Sequence, residues 1–118
     1  MEPDKEQKNE LKIILSAYEL LREITRRVGK FPRSVKFTIG DRIINTAFEI
    51  FDLLLTAKYE KKKIELLKKT NLELERLRFQ IRLCYDEKII NVKQYEFVIT
   101  MIFETGKMTG GWIKSLKE

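Results

Sequence analysis

The segment from Leu66 to Cys84 most constrains how this chain folds, because it predicts a helix with apolar residues on two sides. It contains no Gly or Pro and is rich in good helix formers. One seam, spaced by three and four residues, consists of Leu67, Thr70, Leu74, Leu77, Ile81 and Cys84. A second set lies on roughly the opposite side and consists of Leu72, Phe79 and Leu83. A helix in a monomeric bundle needs one apolar stripe, so the second set predicts burial against another subunit.

The rest of the chain also predicts long helices. Its 118 residues suit a single domain over 1–118, and only 2 Pro and 5 Gly leave little material for the turns of a β-protein. Hydrophobic periodicity predicts helices over about residues 4–28, 34–59, 62–85 and 92–116. Because the connections between them are short, we expect an all-α, up-down-up-down antiparallel four-helix bundle.

The last predicted helix carries apolar residues on more than one side. Its core-facing set is predicted to be Tyr95, Val98, Ile99, Ile102, Phe103, Gly106, Thr109, Gly110, Ile113 and Leu116. A second patch is predicted at Phe97, Met101, Met108 and Trp112. Gly106 and Gly110 are expected to allow close packing against the first or second helix. Together with the second set of the 66–84 helix, this patch predicts an oligomer interface of Leu72, Phe79, Leu83, Met101, Met108 and Trp112.

The residue inventory argues against an enzyme or a metalloprotein. The chain contains no His, and its one Cys, Cys84, lies on the main seam and is predicted to be a buried thiol. Asp41, Glu49 and Asp52 lie on the polar, solvent-facing side of the helix predicted over 34–59, where carboxylates usually contribute only to solubility. No Gly-rich phosphate loop follows a strand. We therefore predict no catalytic residues, no metal site and no cofactor.

No segment of the sequence has the pattern of a signal peptide or a membrane span. The first residues are polar and of mixed charge, and the most apolar run, over 43–57, is interrupted by Asn45, Glu49 and Asp52. We expect a cytoplasmic protein that does not insert into a membrane.

The positive charge predicts an anionic partner, with nucleic acid first and a membrane surface second. The chain has 24 basic and 18 acidic residues, a net charge of +6. Six cations near the first turn are candidate phosphate ligands: Arg22, Arg26, Arg27, Lys30, Arg33 and Lys36. The alternative is an exposed basic end without a partner. The segment 58–63 is the densest cluster of charge and is either a solvated turn or a phosphate contact.

Arg78 and Arg82 form a separate basic pair on the 66–84 helix. They lie one turn apart between the two apolar sets, with Glu75 beside them. If both sets are buried, these guanidiniums need carboxylate partners, for which Glu75 and Glu49 are candidates. The interpretation we favour is an ion-pair network at a subunit boundary, and direct nucleic-acid contact is the alternative.

Several short motifs, taken in order, resemble the Avd proteins, the accessory variability determinants of diversity-generating retroelements. The motifs are Phe31-Pro32-Arg33-Ser34, Gly40-Asp41-Arg42-Ile43, Leu74-Glu75-Arg76-Leu77-Arg78, Ile81-Arg82-Leu83, Gln94-Tyr95-Glu96, Gly106-Lys107-Met108 and Gly110-Gly111-Trp112. The similarity covers nearly the whole chain after Leu11. The wider four-helix-bundle superfamily also contains proteins encoded in intervening sequences of large-subunit ribosomal RNA genes.

The resemblance implies a bundle that assembles into a barrel-shaped homopentamer with a basic surface. It also implies binding to the retroelement's reverse transcriptase and to RNA or DNA through phosphates. By this analogy Arg78 and Arg82 match an arginine pair of the family, and the basic residues from Arg22 to Lys36 contribute to the charged surface. The number five comes from the resemblance alone. The alternative is a stand-alone, self-assembling bundle of the ribosomal RNA intervening-sequence type, with a ribosome-associated or unknown role.

Overall fold

The computed structural model describes residues 5–117, and all regular structure among them is helical. The helices are α1 (Lys5–Gly29), α2 (Arg33–Lys36), α3 (Ile39–Tyr59), α4 (Ile64–Asp86) and α5 (Val92–Lys117). The first helix was predicted to begin near Asp4, which lies outside the described residues. None of the described helices is both long and apolar enough to cross a membrane.

The four long helices form an antiparallel bundle in which α1 packs against α3 and α5, and α4 packs against the same two helices. The contacts show that α1 and α3 are antiparallel. Val28 lies beside Gly40, whereas Tyr18 is 6.1 Å from Phe51 between ring centroids. The molecule is elongated, with extents of 48 × 27 × 21 Å. The α1–α2 connection therefore lies at one end, and the α3–α4 connection lies at the other.

The helix predicted over 34–59 is interrupted, and the prediction of one continuous helix was wrong. A single turn, α2, ends at Lys36, and α3 begins at Ile39. Phe31 is buried before Pro32, and Val35 packs against the core, so the chain folds over the end of the bundle before it turns into α3. Gly40 permits a close approach of α3 to α1, because a Cβ at this position would lie 2.6 Å from Val28 Cγ1.

The start of α5 is a capping box formed by Asn91 and Gln94. The backbone N–H of Gln94 donates to Asn91 Oδ1, and the Asn91 N–H donates to Gln94 Oε1, both at 2.8 Å. The reciprocal pair satisfies two backbone donors that the first turn of a helix leaves without partners. These bonds therefore stabilise the start of α5 at Val92.

The core face of α5 differs from the predicted one. The buried residues of α5 are Val98, Ile102, Thr105, Thr109 and Trp112. Phe103 was predicted to face the core but is 62 % exposed. The two threonines can be buried because Thr109 donates to the Thr105 carbonyl and Thr105 hydrogen-bonds Ser16 of α1 at 2.7 Å. The face of α5 that packs toward α1 thus includes Thr105, which was not in the predicted core set, together with Thr109, which was.

The two helical glycines do not form the predicted close contact with α1 or α3. A Cβ at Gly110 would meet nothing within 4 Å, and one at Gly106 would contact Leu74 of α4 at an ordinary 3.8 Å. Rotation of α5 carries Gly110 to the surface, so this packing prediction was wrong.

Cys84 is buried on the α4 seam, as predicted, and burial raises the pKa of its thiol to about 11. We expect a disulfide reagent at about pH 8 to modify the folded protein far more slowly than the urea-unfolded chain, because the thiolate is the reactive form. The folded-state pKa lies above the unfolded value of about 8.5. The neutral thiol therefore makes its full contribution to the free energy of unfolding below about pH 8.5, and this contribution is lost as the pH rises toward 11. Release of the coloured thiol product measures the rate. Equal rates for the folded and unfolded chains would contradict this assignment.

Candidate nucleic-acid and assembly surfaces

Six predicted phosphate ligands lie at the end of the bundle where α1 finishes and α3 begins. We call this set the basic end: Arg22, Arg26, Arg27, Lys30, Arg33 and Lys36. The first three lie on the last turns of α1, Lys30 follows it, and the last two lie on α2. Arg26, Arg27 and Lys30 line a cavity of about 200 Å³ closed by the α4–α5 connection. The structure thus brings part of the set to one concave site, and its role in binding phosphate stays a prediction.

Glu23 organises this cavity and was not among the residues predicted from the sequence. Its side chain is buried, and its two oxygens accept from Arg26 at 2.7 Å and from Arg27 at 2.8 Å. The Arg27 guanidinium also lies 5.3 Å from the centre of the Phe97 ring. The spacings of three and four residues are favourable for ion pairs on a helix, so a signal was available in the sequence.

We expect Glu23→Gln to lower the free energy of unfolding by about 1–2 kcal/mol, because it removes the shared charge partner of two arginines. Glu19→Gln is the matched control, since Glu19 is exposed and its one ion pair within residues 5–117 is with Arg22, at 3.4 Å. Its effect should stay within about 0.5 kcal/mol. Urea unfolding followed by circular dichroism at a fixed protein concentration measures both. Equal losses for the two variants would show that Glu23 has no special role.

Three further cations of the basic end have no acidic partner among the described residues. Within residues 5–117 Lys30, Arg33 and Lys36 form no ion pair, although Lys36 Nζ lies 5.8 Å from the centre of the Phe37 ring. Arg22 is paired only with Glu19, and both side chains are more than half exposed. A cation without an acidic partner can pair with an external anion, so Lys30, Arg33 and Lys36 are the strongest candidates for contact with phosphate.

Arg78 and Arg82 are each paired within the chain, but not in one network. Arg78 donates to Glu75, which lowers the pKa of that carboxyl, and Arg82 donates to Asp86 at 2.8 Å. Asp86 raises the pKa of Arg82, with a smaller effect from Tyr95. Of the two predicted carboxylate partners, Glu75 pairs with Arg78, whereas Glu49 pairs with neither arginine. Asp86, the partner of Arg82, was not predicted. Arg78 also lies 4.5 Å from the centre of the Phe79 ring, so it borders the second apolar set of α4.

The second apolar set of α4 faces away from the bundle, and we call it the α4 outer face: Leu72, Phe79 and Leu83. These side chains are 53 %, 61 % and 45 % exposed. The other predicted interface residues behave differently. Met101 and Met108 are half-buried against the core, and Trp112 is buried. Trp112 was therefore wrongly assigned to an interface. The rotation of α5 turns its ring inward, where a large aromatic side chain removes more surface from water.

A further apolar surface, along α1 and α3, was not predicted from the sequence. We call it the α1–α3 face: Leu11, Leu15, Tyr18, Phe48 and Leu55. All five are exposed by 38–50 %, and half-buried Phe51 contacts Tyr18 between them. Sequence periodicity indicated a broad apolar arc on both helices, but it could not say which edge of the arc faces outward. The chain thus exposes apolar side chains on two different sides of the bundle, which is typical of a protein that assembles.

Comparison with known proteins places the chain among helical bundles of this kind. A family model described as bAvd-like matches residues 12–116. A crystal structure of a protein of unknown function from the S23 ribosomal protein family of Bacteroides thetaiotaomicron superposes with a TM-score of 0.83. That match covers 90 % of this chain and 98 % of the other at 17 % sequence identity, so it shows a shared fold. No curated protein matches the chain.

Proposed function

The chain belongs to the bAvd-like family, and on that premise we propose that it is a non-catalytic accessory protein of a diversity-generating retroelement. In this proposal it binds the element's reverse transcriptase, together with template RNA or cDNA, and supports mutagenic reverse transcription. The observation that carries the proposal is the basic end, where Lys30, Arg33 and Lys36 have no acidic partner within residues 5–117 and lie beside two arginines held by Glu23. The protein supplies binding and position, while the polymerase supplies the chemistry.

Nucleic acid is the anionic partner that we propose for the basic end. Planar guanidiniums and free ammonium groups bind phosphate oxygens, and such contacts carry no sequence information. Arg26 and Arg27 are already oriented by Glu23, so their side chains lose less conformational entropy when an anion binds. Affinity should therefore fall steeply with salt and vary little with sequence.

We also propose that the chain assembles into a homopentameric barrel. The α4 outer face and the α1–α3 face are different surfaces on different sides of the bundle, which favours head-to-tail association of identical chains. Head-to-tail contacts generate a ring when the rotation between subunits closes. The number five rests on the family resemblance. Arg78 and Arg82, next to the α4 outer face, would then lie at or near a subunit boundary.

Co-purification tests the proposed function. The chain is expressed with the reverse transcriptase encoded beside its gene, with an affinity tag on the polymerase only. We expect the untagged chain to elute with the polymerase and to remain bound after nuclease treatment. A gene neighbourhood without a reverse transcriptase and without template and variable repeats would contradict the retroelement role.

A second candidate is a self-assembling bundle of the ribosomal RNA intervening-sequence type. The structural similarity to a member of the S23 ribosomal protein family favours it. The gene neighbourhood separates the two candidates, because this role needs no polymerase gene nearby. Under this alternative the untagged chain would not elute with a reverse transcriptase.

A further inference from the structure

The α3–α4 connection forms a second basic surface, far from the basic end. We call it the lysine turn: Lys58, Tyr59, Glu60, Lys61, Lys62 and Lys63. Because α1 and α3 run in opposite directions, the lysine turn lies at the opposite end of a molecule 48 Å long. The proposed function makes no use of this surface.

Lys63 holds the lysine turn against the end of α3. Its Nζ donates to the carbonyls of Ala57 at 2.6 Å and of Lys58 at 2.9 Å. Both carbonyls belong to the last turn of α3, where a helix lacks internal donors and where the helix dipole favours a cation. One lysine therefore caps the helix and holds the connection in place. The remaining residues of the turn are left without a structural function of this kind.

Tyr59 and its neighbouring lysines are the residues without such a role. Tyr59 is 77 % exposed, and Lys58 Nζ lies 5.7 Å from the centre of its ring. Lys61 and Lys62 are exposed and form no ion pair with any described residue. Glu60 is the one acid among the six residues. An aromatic ring open to solvent, held on a fixed turn among unpaired cations, is a surface that combines stacking with attraction to phosphate.

We propose that the lysine turn binds a single-stranded segment of nucleic acid, with an unpaired base stacked on Tyr59 and phosphates on Lys61 and Lys62. Stacking on an aromatic side chain needs a base whose face is free, which single strands offer and duplexes do not. This inference rests on the proposed function and adds to it the form of nucleic acid that is bound. It also means that one chain contacts nucleic acid at both ends of the bundle.

Fluorescence anisotropy of the full chain tests the proposal, with three labelled probes of about 20 nucleotides, longer than a single binding site of this type. The probes are oligouridine, oligothymidine and a blunt RNA duplex. We expect Tyr59→Ala to weaken binding of at least one single-stranded probe by about fivefold or more, which corresponds to the loss of one base stack. Duplex affinity should change by less than about twofold, because phosphate contacts are untouched.

Tyr59→Phe is the matched control, since it keeps the ring and removes only the hydroxyl. It should bind all three probes like the wild type. A loss with oligouridine alone would assign the site to RNA, and equal losses with both single strands would assign it to either nucleic acid. Three results would overturn the inference: unchanged binding by Tyr59→Ala, an equal loss for the duplex, or an equal loss in Tyr59→Phe.

The same experiment separates this inference from the proposed function. Wild-type binding together with an indifferent Tyr59→Ala variant would overturn only the role of the lysine turn. A wild-type chain that binds none of the probes at low salt would overturn both. Circular dichroism of each variant should match the wild type, since the side chain of Tyr59 lies outside the core.

Discussion

A Phe79→Glu variant is expected to sediment as a 14.1 kDa monomer at concentrations where we expect the wild type to form the proposed oligomer. Phe79 is 61 % exposed in the single chain, so the substitution removes no core contact and helix content should be retained. If the α4 outer face is buried between subunits, each subunit would have to place a carboxylate in an apolar contact, which costs several kcal/mol for each charge. Leu72→Glu on the same face should act in the same way. Sedimentation velocity, with circular dichroism on the same samples, measures both properties.

The control for this prediction is Phe37→Glu. Phe37 is 64 % exposed, close to the value for Phe79, but it lies in the α2–α3 turn and outside both apolar faces. It should leave the sedimentation coefficient unchanged. A wild type that is monomeric at tens of micromolar, or a Phe79→Glu variant that still assembles, would show that the two apolar sets of α4 do not indicate a subunit interface. Loss of helix content would instead assign Phe79 to folding.

The double variant Lys30→Glu/Arg33→Glu is expected to bind RNA duplex about ten- to a hundredfold more weakly than the wild type at moderate salt. Neither residue has an acidic partner in the part of the chain that the structure describes, so the change removes two free cations and adds two charges that repel phosphate. The plot of log affinity against log salt should become shallower by about one for each lost phosphate contact. Anisotropy titrations at several salt concentrations give the affinity and the slope together.

Lys107→Glu/Lys114→Glu provides the same change of net charge on α5, away from the basic end. It should alter affinity by less than about threefold and leave the salt slope near the wild-type value, because only the long-range field changes. Equal losses in the two double variants would mean that net charge, and not the arrangement of the basic end, determines binding. Unfolding curves for both variants should agree within about 0.5 kcal/mol, since all four side chains are exposed.

The sequence predicted α4 better than it predicted α5, and the reason is physical. Every residue of the main α4 seam is buried and every residue of its second set is exposed, because strict spacing on a helix with two separated apolar sets fixes its orientation. On α5 apolar residues occur almost all round, so periodicity allows several orientations. Thr105 and Thr109 decide between them through hydrogen bonds that satisfy their hydroxyls inside the bundle. The bond between Thr105 and Ser16 depends on the neighbouring helix α1 and leaves little trace in one sequence.

The candidate sites show the same division between local and non-local signals. The helix break at Phe37 carries no Gly or Pro at the break itself, since it depends on how Phe31 and Val35 close the end of the bundle. Glu23 could have been identified from its spacing to Arg26 and Arg27, which is a local property. The α1–α3 face could not, because only the packing of α1 against α3 separates the buried edge of their apolar arcs from the exposed one.

Trp112 gives this chain an internal optical reporter whose signal follows the core and not the subunit contacts. It is the only tryptophan, it is buried, and it packs with the core cluster of the bundle and away from the α4 outer face. Indole emission shifts to longer wavelength when water reaches the ring. Dissociation of an assembled particle into intact subunits should therefore leave the emission maximum in place, whereas melting of a subunit should move it. Dilution series and denaturant titrations read at one wavelength pair can thus distinguish disassembly from unfolding without any added dye.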